Sequence, residues 1–221
     1  MTIKEKIATG IAVVFHLIGL CGMFFYDVNQ FASLSWINLV LMAVLIFYVQ
    51  EKIKPGLIIF FVACYITGML TEIAGTSTGM FFGDYSYTPV LGTSFKNVPL
   101  VIGVNWFIII YCVSVSMYML ATNIHKKTDK VSPEWLKAMT IITDSALLAV
   151  ALDWLLEPAA IKLNFWNWAA GIPVYNYVSW FVISAALAAV FYFAVGEKAN
   201  KFAVNLLLIQ AMFFLVIRTF L

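Results

Sequence analysis

The chain has 221 residues, of which 63% are hydrophobic and only 11% are charged, and its net charge at pH 7 is +2. A water-soluble globule of this length needs far more polar surface, so the composition excludes that class and indicates an integral membrane protein. The loops carry no basic stripe with interleaved aromatic residues, so nothing in the sequence points to a nucleic-acid partner.

Seven apolar runs are long enough to cross the hydrocarbon core of a bilayer, which takes about 20 residues of helix. They lie at residues 7–25, 31–49, 55–74, 98–121, 137–157, 174–195 and 202–220. The first run stays apolar to Phe25 without a small-residue cleavage site, so we interpret it as a membrane span and not as a signal peptide. We therefore predict an all-α integral membrane protein with seven transmembrane helices, in which residues 1–221 form a single polytopic membrane domain.

The distribution of the thirteen Lys and Arg residues predicts the orientation of these spans. With a cytoplasmic N-terminus, ten of them fall on the cytoplasmic side and three on the other, which by the positive-inside rule favours an N-in, C-out topology. The ten are Lys4, Lys6, Lys52, Lys54, Lys126, Lys127, Lys130, Lys137, Lys198 and Lys201, and the three are Lys96, Lys162 and Arg218. We expect the membrane to be a bacterial inner (cytoplasmic) membrane.

The cysteines and histidines do not form a recognisable site. Cys21, Cys64 and Cys112 fall in three different spans without zinc or disulfide spacing, so we expect them to be small buried hydrophobic residues. His16 lies alone in the first span and His125 in a lysine-rich loop, and we expect a satisfied or a solvated histidine at both positions.

Asp153 and Glu157 are the most informative side chains, because they lie within the apolar segment LLAVALDWLLEP. Four residues apart, they share one face of a helix. A carboxylate inside a bilayer costs roughly 2.5 to 3.5 kcal/mol on insertion scales and marks a functional site by default. Asp144, nine residues before Asp153, lies on the other side of the helix, and we expect it to make a separate helix-packing contact.

A polar, glycine-rich segment, GTSTGMFFGDYSYTPVLGTSFKNVP, follows Glu72 at the end of the third span. It is too polar to span a membrane, yet it carries four aromatic residues, Phe81, Phe82, Tyr85 and Tyr87. A solvated loop does not need them, so we expect the segment to fold back over the mouth of the bundle as a lid.

The segment AAIKLNFWNWAAGIP after the fifth span is similar, with Trp166 and Trp168, although these tryptophans alone also fit an aromatic belt at the membrane interface. A common spacing relates the helices that follow the two segments. Pro99 lies six residues before the triplet NWF, and Pro173 lies six residues before the triplet SWF. We interpret spans 3–4 and 5–6 as a parallel repeat, with a site between its halves, the alternative being chance similarity of two apolar hairpins.

Acids surrounded by aromatic rings at the mouth of an apolar bundle suit one kind of chemistry. A carboxylic acid desolvated among aromatic rings keeps its proton and acts as a general acid, while a better-solvated carboxylate acts as a base. Aromatic faces stabilise a nearby cation by roughly 0.5 to 2 kcal/mol each. Protonation of a double bond in an apolar polyene or isoprenoid from the bilayer fits these groups. The sequence has no aspartate-rich diphosphate motif, nucleotide loop or histidine-rich iron box, so we expect no cofactor and no metal.

The chain also resembles a known family at these residues. The blocks GTSTGMFFGDYSYTPVLG with VPLVIGVNW, and DWLLEP with FWNWAAGIPVYNYVSWF, resemble carotenoid hydratases of the bisanhydrobacterioruberin or gamma-carotene hydratase type. A weaker likeness extends to membrane lycopene cyclases of the heterodimeric type. The resemblance covers the third to the sixth span, and it implies addition of water to the terminal double bond of an acyclic carotenoid end group, giving a tertiary alcohol.

The matching positions are Glu72, Gly75, Gly79, Gly83, Tyr85, Tyr87, Gly92 and Pro99 in the first block, and Asp153, Glu157, Pro158, Trp166, Trp168, Pro173, Asn176 and Trp180 in the second. The sequence departs from the family pattern at two places. These departures affect the expected preference for a carotenoid end group more than the expected reaction. Glu157 stands where many relatives have Asp before the proline, and only Ala169, Ala170 and Gly171 precede the second proline.

We predict Asp153, Glu157 and Glu72 as catalytic residues. In this hypothesis Asp153 or Glu157 donates a proton, aromatic rings hold the tertiary cation, and Glu72 and Asn105 position the attacking water. The predicted substrate-binding residues are Asn105, Trp106, Tyr85, Tyr87, Trp154, Trp166, Trp168, Asn176 and Trp180. The expected partners are membrane lipid and a lipophilic carotenoid like lycopene or gamma-carotene.

Two alternatives stay open at this point. A cyclase would use the same proton donor but exclude water, so that an internal double bond captures the cation. A carotenoid-binding or transport protein would hold the pigment without changing it. A retinal protein is disfavoured, because the last span has no lysine near its middle for a Schiff base.

Overall fold

The computed structural model describes residues 1–128, 133–195 and 199–221, without the side chains of residues 125–128. The helices are α1 (Ile3–Phe25), α2 (Val28–Ser33), α3 (Ser35–Tyr48), α4 (Pro55–Thr78), α5 (Val101–Thr128), α6 (Glu134–Lys162), α7 (Val174–Ala194) and α8 (Lys201–Phe220). Short strands lie at β1 (Tyr85–Tyr87), β2 (Ser94–Phe95), β3 (Val98–Pro99) and β4 (Trp166–Trp168), with a 3-10 turn at Pro89–Leu91.

Taking α2 and α3 as one span, the described residues contain seven helices that are long and apolar enough to cross a membrane. This confirms the predicted all-helical class and is consistent with an integral membrane protein. Among the residues that predicted the orientation, Lys130 and Lys198 lie outside the described residues. The side chains of Lys126, Lys127 and the loop histidine His125 do so too.

Local sequence sets several helix ends. Thr2 and Glu5 form a reciprocal capping box at the start of α1, with Thr2 N donating to Glu5 Oε2 at 2.7 Å and Glu5 N to Thr2 Oγ1 at 3.2 Å. Pro55 begins α4, where the missing N–H costs no helical hydrogen bond. Gly79 ends α4 in the left-handed conformation, at φ 69°, which a glycine adopts without a Cβ penalty.

Helices α4 and α6 extend further at their C-terminal ends than the hydropathy predicts. These extensions decide whether Glu72 and Glu157 lie inside a helix or at its end. The third span was predicted to end at Glu72, but α4 continues to Thr78. Likewise, α6 continues through Pro158 to Lys162 instead of ending before the proline. Glu72 and Glu157 therefore lie inside helices that pack in the bundle, not at frayed helix ends.

Helix α5 is the central helix of the bundle. Of its most apolar stretch 78% is buried, against 28–39% for the other six spans. It packs against α3, α4, α6, α7 and α8, and its Phe107 and Tyr111 meet Phe60 of α4 and Phe191 of α7. The remaining spans form a shell around α5, and this shell places α4, α6 and α7 side by side where the acids lie.

The start of α4 passes very close to the end of α7, and this is possible because Gly56 has no side chain. A Cβ on Gly56 would lie 1.9 Å from the backbone oxygen of Ala194. We expect Gly56→Ala to destabilise the protein by about 1–3 kcal/mol, because backbone must move to relieve the overlap. The measurement is the midpoint of thermal unfolding in detergent. Gly10 of α1 is the matched control, since its added Cβ meets nothing within 4 Å. Equal midpoints for Gly56→Ala and Gly10→Ala would contradict this close approach.

The structure also decides several smaller expectations. Cys64 and Cys112 are buried as expected, but Cys21 is exposed. His16 is buried, and its Nδ1 lies 2.8 Å from the backbone oxygen of Ala12, in line with the expected satisfied histidine. Asp144 is exposed on α6 and does not form the helix-packing contact that was expected of it. Its neighbours along the helix rotate into the bundle while Asp144 faces outward.

Candidate active site

Three carboxyl side chains converge in the interior of the bundle. Glu72 of α4 is 5% exposed, and Asp153 and Glu157 of α6 are 1% and 3% exposed. Within the described ranges, no lysine, arginine or histidine lies within salt-bridge distance of any of them. Buried carboxyl groups need hydrogen-bond donors when no cation is near, and the following contacts supply them.

Glu72 accepts three side-chain hydrogen bonds. The hydroxyl groups of Tyr85 and Tyr87 both donate to its Oε2, the latter at 2.8 Å. Trp106 of α5 donates through Nε1 to Oε1 at 3.0 Å. Donors from the loop and from the central helix thus fix both oxygens of this carboxyl group.

Glu157 is held in the same manner by the second aromatic segment. Trp166 and Trp168 donate through Nε1 to its Oε2, at 3.0 and 2.9 Å. As with Glu72, an aromatic-x-aromatic pair in the loop after the helix binds the acid that the helix carries.

Asp153 is bound differently. It accepts one hydrogen bond, from Asn176 Nδ2 of α7 at 3.1 Å. No tyrosine or tryptophan donates to it within the part of the chain that the structure describes. Asp153 is therefore the most buried of the three acids and the one with the fewest donors.

The two aromatic segments pair with each other as antiparallel strands. Tyr85 of β1 lies opposite Trp168 of β4, and Tyr87 lies opposite Trp166, with Ser86 in the centre of the pair. Because side chains alternate along a strand, these four aromatic residues point to one face of the pair, which is the face of the acids. We call this pair of strands the clasp. Sequence reasoning predicted that the first segment folds back, but it did not predict the pairing.

A stacked pair of indoles lies beneath the clasp. The rings of Trp106 on α5 and Trp180 on α7 are parallel within 9°, with centroids 4.1 Å apart. These are the tryptophans of the NWF and SWF triplets, so equivalent positions of the two hairpins meet in the core. Both rings are buried, at 1% and 7% exposure.

All of these groups surround one small cavity of about 30 Å³. Of the predicted site residues, it brings together Glu72, Asp153, Glu157, Tyr85, Tyr87, Asn105, Trp106, Trp166, Trp168, Asn176 and Trp180. Phe82, Ile102 and Leu156 also line the cavity. Sequence reasoning placed Phe82 in the lid but did not name it as a binding residue, and it missed Ile102 and Leu156. Ile102 lies three residues before Asn105 and Leu156 three residues after Asp153, each pair on one helical face, which is a signal that could have identified both.

Trp154 is the predicted binding residue that the structure places elsewhere. Its side chain is 53% exposed, and the guanidinium of Arg218 lies 3.9 Å from the centre of its ring. One residue of helix turns the chain by 100°, so a neighbour of the buried Asp153 points out of the bundle. The expectation that Trp154 lines the site is thus corrected.

The clasp tyrosines act as hydrogen-bond donors and not as bases. Burial raises the pKa of Tyr85 above its usual value, and the nearby charge of Glu72 and the hydrogen bond to it raise this pKa further. Burial, followed by the charge of Glu72, likewise raises the pKa of the Tyr87 hydroxyl. Both phenols therefore stay protonated near neutral pH and keep donating to Glu72.

No group of three or more His, Cys, Asp or Glu side chains with the geometry to hold a metal ion occurs in the described part of the chain. The acids, the amides Asn105 and Asn176, and the aromatic rings are the polar and π groups that the cavity offers. Such a set can move protons and stabilise a positive charge.

The seven membrane-capable helices are consistent with an integral membrane protein, and four of them, α4 to α7, line a buried acidic cavity with aromatic walls. The chain belongs to the carotenoid biosynthesis protein family, whose model matches residues 12–221. Membership suggests an enzymatic role in making carotenoids and implies a lipophilic carotenoid substrate. No curated protein and no solved structure matches the chain.

Proposed function

We propose that the protein adds water to the terminal carbon–carbon double bond of an acyclic carotenoid by acid catalysis. The observation that carries this proposal is the convergence of Glu72, Asp153 and Glu157 on one aromatic cavity, without a basic partner among the described residues. One acid can protonate the alkene, and a second can accept a proton from the attacking water. This hydratase chemistry needs no cofactor.

Asp153 is the best candidate for the proton donor. It accepts one side-chain hydrogen bond, whereas Glu72 accepts three and Glu157 accepts two. Donated hydrogen bonds favour the ionised form of a carboxyl group. Glu72 and Glu157 are therefore better suited to remain anions, and Asp153 is better suited to carry the proton that the reaction consumes.

Comparison of the two hairpins favours the same residue. If α4–α5 and α6–α7 are parallel repeats, Glu72 corresponds to Glu157, and Gly68 corresponds to Asp153, each four residues earlier. Gly68 packs against the central tryptophan, since an added Cβ would lie 2.5 Å from Cδ1 of Trp106. Asp153 thus has no acidic counterpart in the first hairpin, while the two glutamates are a matched pair.

The proposed reaction balances with these groups alone. Asp153 gives its proton to the terminal alkene, whose π electrons form the new C–H bond, and the adjacent carbon becomes a tertiary cation. The π electrons of Trp106 and Trp180 stabilise this cation. Water positioned by Asn105 adds through its oxygen, and Glu72 accepts the surplus proton. Proton transfer from Glu72 back to Asp153 restores the enzyme.

The size of the cavity implies that the site opens before substrate binds. A cavity needs about 10–15 Å³ of this kind of volume to hold one water molecule, so a cavity of about 30 Å³ admits water but not the terminal isoprene unit of a carotenoid. The clasp is the cover that must move, because its aromatic side chains form the wall facing the acids. Closure after binding would exclude bulk water and strengthen the electrostatic interactions inside the site.

The predicted topology and repeat form part of this proposal. Lys162 Nζ donates to the backbone oxygen of Arg218 at 2.9 Å, so two of the three basic residues assigned to the outer side lie together. At the opposite end, Lys201 N donates to Glu5 Oε1 at 2.8 Å. These contacts support the assignment of the two groups to opposite sides, and the positive-inside rule then favours the N-in, C-out arrangement that we propose in a bacterial cytoplasmic membrane. The clasp register and the indole stack support the parallel repeat.

Expression in a host that accumulates lycopene tests the proposed reaction. We expect extracted pigments to gain the mass of one water molecule for each hydrated end, relative to a host with the empty vector. The extracted pigments are measured by chromatography coupled to mass spectrometry. A host that makes gamma-carotene provides a second substrate, with one acyclic end available.

Two other results of that experiment would replace the proposal. A change in chromatographic retention without a change in mass would identify a cyclase. Unchanged pigment that copurifies with the protein would identify a carotenoid-binding or transport protein.

A further inference from the structure

A second cavity, of about 60 Å³, adjoins the acidic one and has a different polar lining. His16 of α1, Asn38 of α3 and Gln210 of α8 bring polar side chains to it beside Ser35 and Asn105, and its other lining residues are aliphatic or aromatic. We call it the amide pocket. None of His16, Asn38 and Gln210 lines the acidic cavity, and the chemistry proposed above uses none of them.

Some hydrogen-bond acceptors in the amide pocket have no donor among the described residues. His16 Nδ1 lies 2.8 Å from the backbone oxygen of Ala12, so Nδ1 carries the hydrogen and Nε2 is an acceptor. Asn38 Nδ2 lies 3.5 Å from that Nε2. Asn38 Oδ1 and Gln210 Oε1 are buried and have no hydrogen-bond partner among the described residues. Gln210 as a whole is 4% exposed.

These two oxygens without a donor indicate which kind of ligand the amide pocket can bind. Buried carbonyl oxygens need a donor, and the small volume admits a hydroxyl group or water but no large polar molecule. One water can donate two hydrogen bonds at once and typically makes about three in such sites. A hydroxyl-bearing ligand therefore fits the pocket better than an anion or a cation does.

The wall between the two cavities contains one side chain, Asn105, whose polar groups make no hydrogen bond to the residues that the structure describes. Ile102, Asn105, Leu156 and Trp166 line both cavities. Ile102 and Leu156 are apolar, and the Trp166 N–H is engaged with Glu157. Asn105 is the amide that faces both sides, and it can pass a water from one cavity to the other by exchanging hydrogen bonds.

We propose that the amide pocket binds a hydroxyl group, namely water, and delivers it past Asn105 to the carbocation. This inference rests on the proposed hydration. The delivered oxygen forms the new C–O bond, and its surplus proton goes to Glu72 as described above. Storing the nucleophile beside the acidic cavity lets the clasp exclude bulk water while the reaction still receives one water per turnover.

Gln210→Met and Asn38→Leu test the inference, because each keeps the side-chain size roughly constant and removes the amide. Ser184→Ala is the matched control, since it also removes a buried oxygen without a partner in the described structure, but away from both cavities. In the pigment-producing host, we expect the ratio of alcohol to double-bond isomers among converted carotenoid to fall about threefold to tenfold in the two amide variants. The control should keep the wild-type ratio.

A second readout does not depend on the reaction. Brief X-ray irradiation of the purified protein in lipid nanodiscs oxidises side chains that lie beside bound water, and mass spectrometry measures the rate. Phe165 lines the amide pocket, whereas Phe191 is fully buried elsewhere. We expect Phe165 to be oxidised faster than Phe191 in the wild type and in Ser184→Ala, and to lose this difference in Gln210→Met.

The two readouts separate the possible failures. If the wild type forms no alcohol but Gln210→Met slows the oxidation of Phe165, the proposed hydration is wrong and the proposed water site is supported. If alcohol forms and both amide variants behave like Ser184→Ala in both readouts, the amide pocket proposal is overturned. If Gln210→Met changes only the preference between hydroxylated and unhydroxylated carotenoids, the pocket binds the hydroxyl of the substrate, which overturns the water route.

Discussion

Asp153→Asn is expected to lower the yield of hydrated carotenoid by at least about 100-fold, because a positioned general acid contributes roughly 10²–10⁴ to a rate. The variant keeps the size of the side chain, and its carbonyl oxygen can still accept the hydrogen bond from Asn176. Loss of activity would therefore report the missing proton and not a lost fold. The measurement is the mass-resolved pigment profile at equal protein level in the membrane.

Asp144→Asn is the matched control, since it makes the same chemical change on the same helix at an exposed position outside the cavity. We expect wild-type conversion for it. If Asp153→Asn also converted carotenoid at the wild-type rate, Asp153 would not be the proton donor. Measuring Glu157→Gln beside it would then show whether the other acid of α6 takes that role.

Glu72→Gln is expected to reduce product formation by about 100-fold as well, for two connected reasons. The variant loses the base that accepts the proton of water. In addition, an amide nitrogen replaces one of the two carboxyl oxygens that accept from Tyr85, Tyr87 and Trp106. If it faces Trp106 it meets a donor that cannot accept, and if it faces the tyrosines it turns their hydroxyls into acceptors, so either orientation loses hydrogen bonds that now hold the carboxylate.

Tyr87→Phe separates these two reasons, because it removes one donor and leaves the base in place. We expect a smaller loss, of about 10-fold, which is near the low end of the range for one hydrogen bond to a charged group. Glu134→Gln is the control, since Glu134 is exposed and accepts one long bond from Tyr192 at 3.4 Å. An activity of Glu72→Gln equal to that of Glu134→Gln would remove Glu72 from the mechanism.

The helices could be predicted because length and apolarity determine what crosses a membrane. Their ends were less predictable, since α4 continues to Thr78 and α6 continues through Pro158 to Lys162, next to the clasp. Hydropathy measures transfer into lipid and is blind to this tertiary environment. The same limit explains why Cys21, an apolar residue within a span, was expected to be buried but faces outward.

The candidate site was predictable as a set of residues but not as a set of contacts. Acids and aromatic rings were recognisable because they are out of place in an apolar chain. Their pairings depend on how separate segments meet: Asp153 with Asn176 across α6 and α7, and Tyr85 with Trp168 across the clasp. Ile102 and Leu156 are ordinary apolar residues in sequence, so only their helical spacing from Asn105 and Asp153 and their position in space identify them as part of the wall.

The clasp has a kinetic consequence. Three residue pairs join β1 to β4, and backbone hydrogen bonds from Thr88 N to the Phe165 oxygen and from Ala169 N to the Asp84 oxygen continue the pairing at its two ends. A short ladder of this kind opens more readily than a packed helix leaves a bundle. Under the proposed reaction, carotenoid enters and product leaves by opening of this ladder, a kind of step that limits turnover in many enzymes.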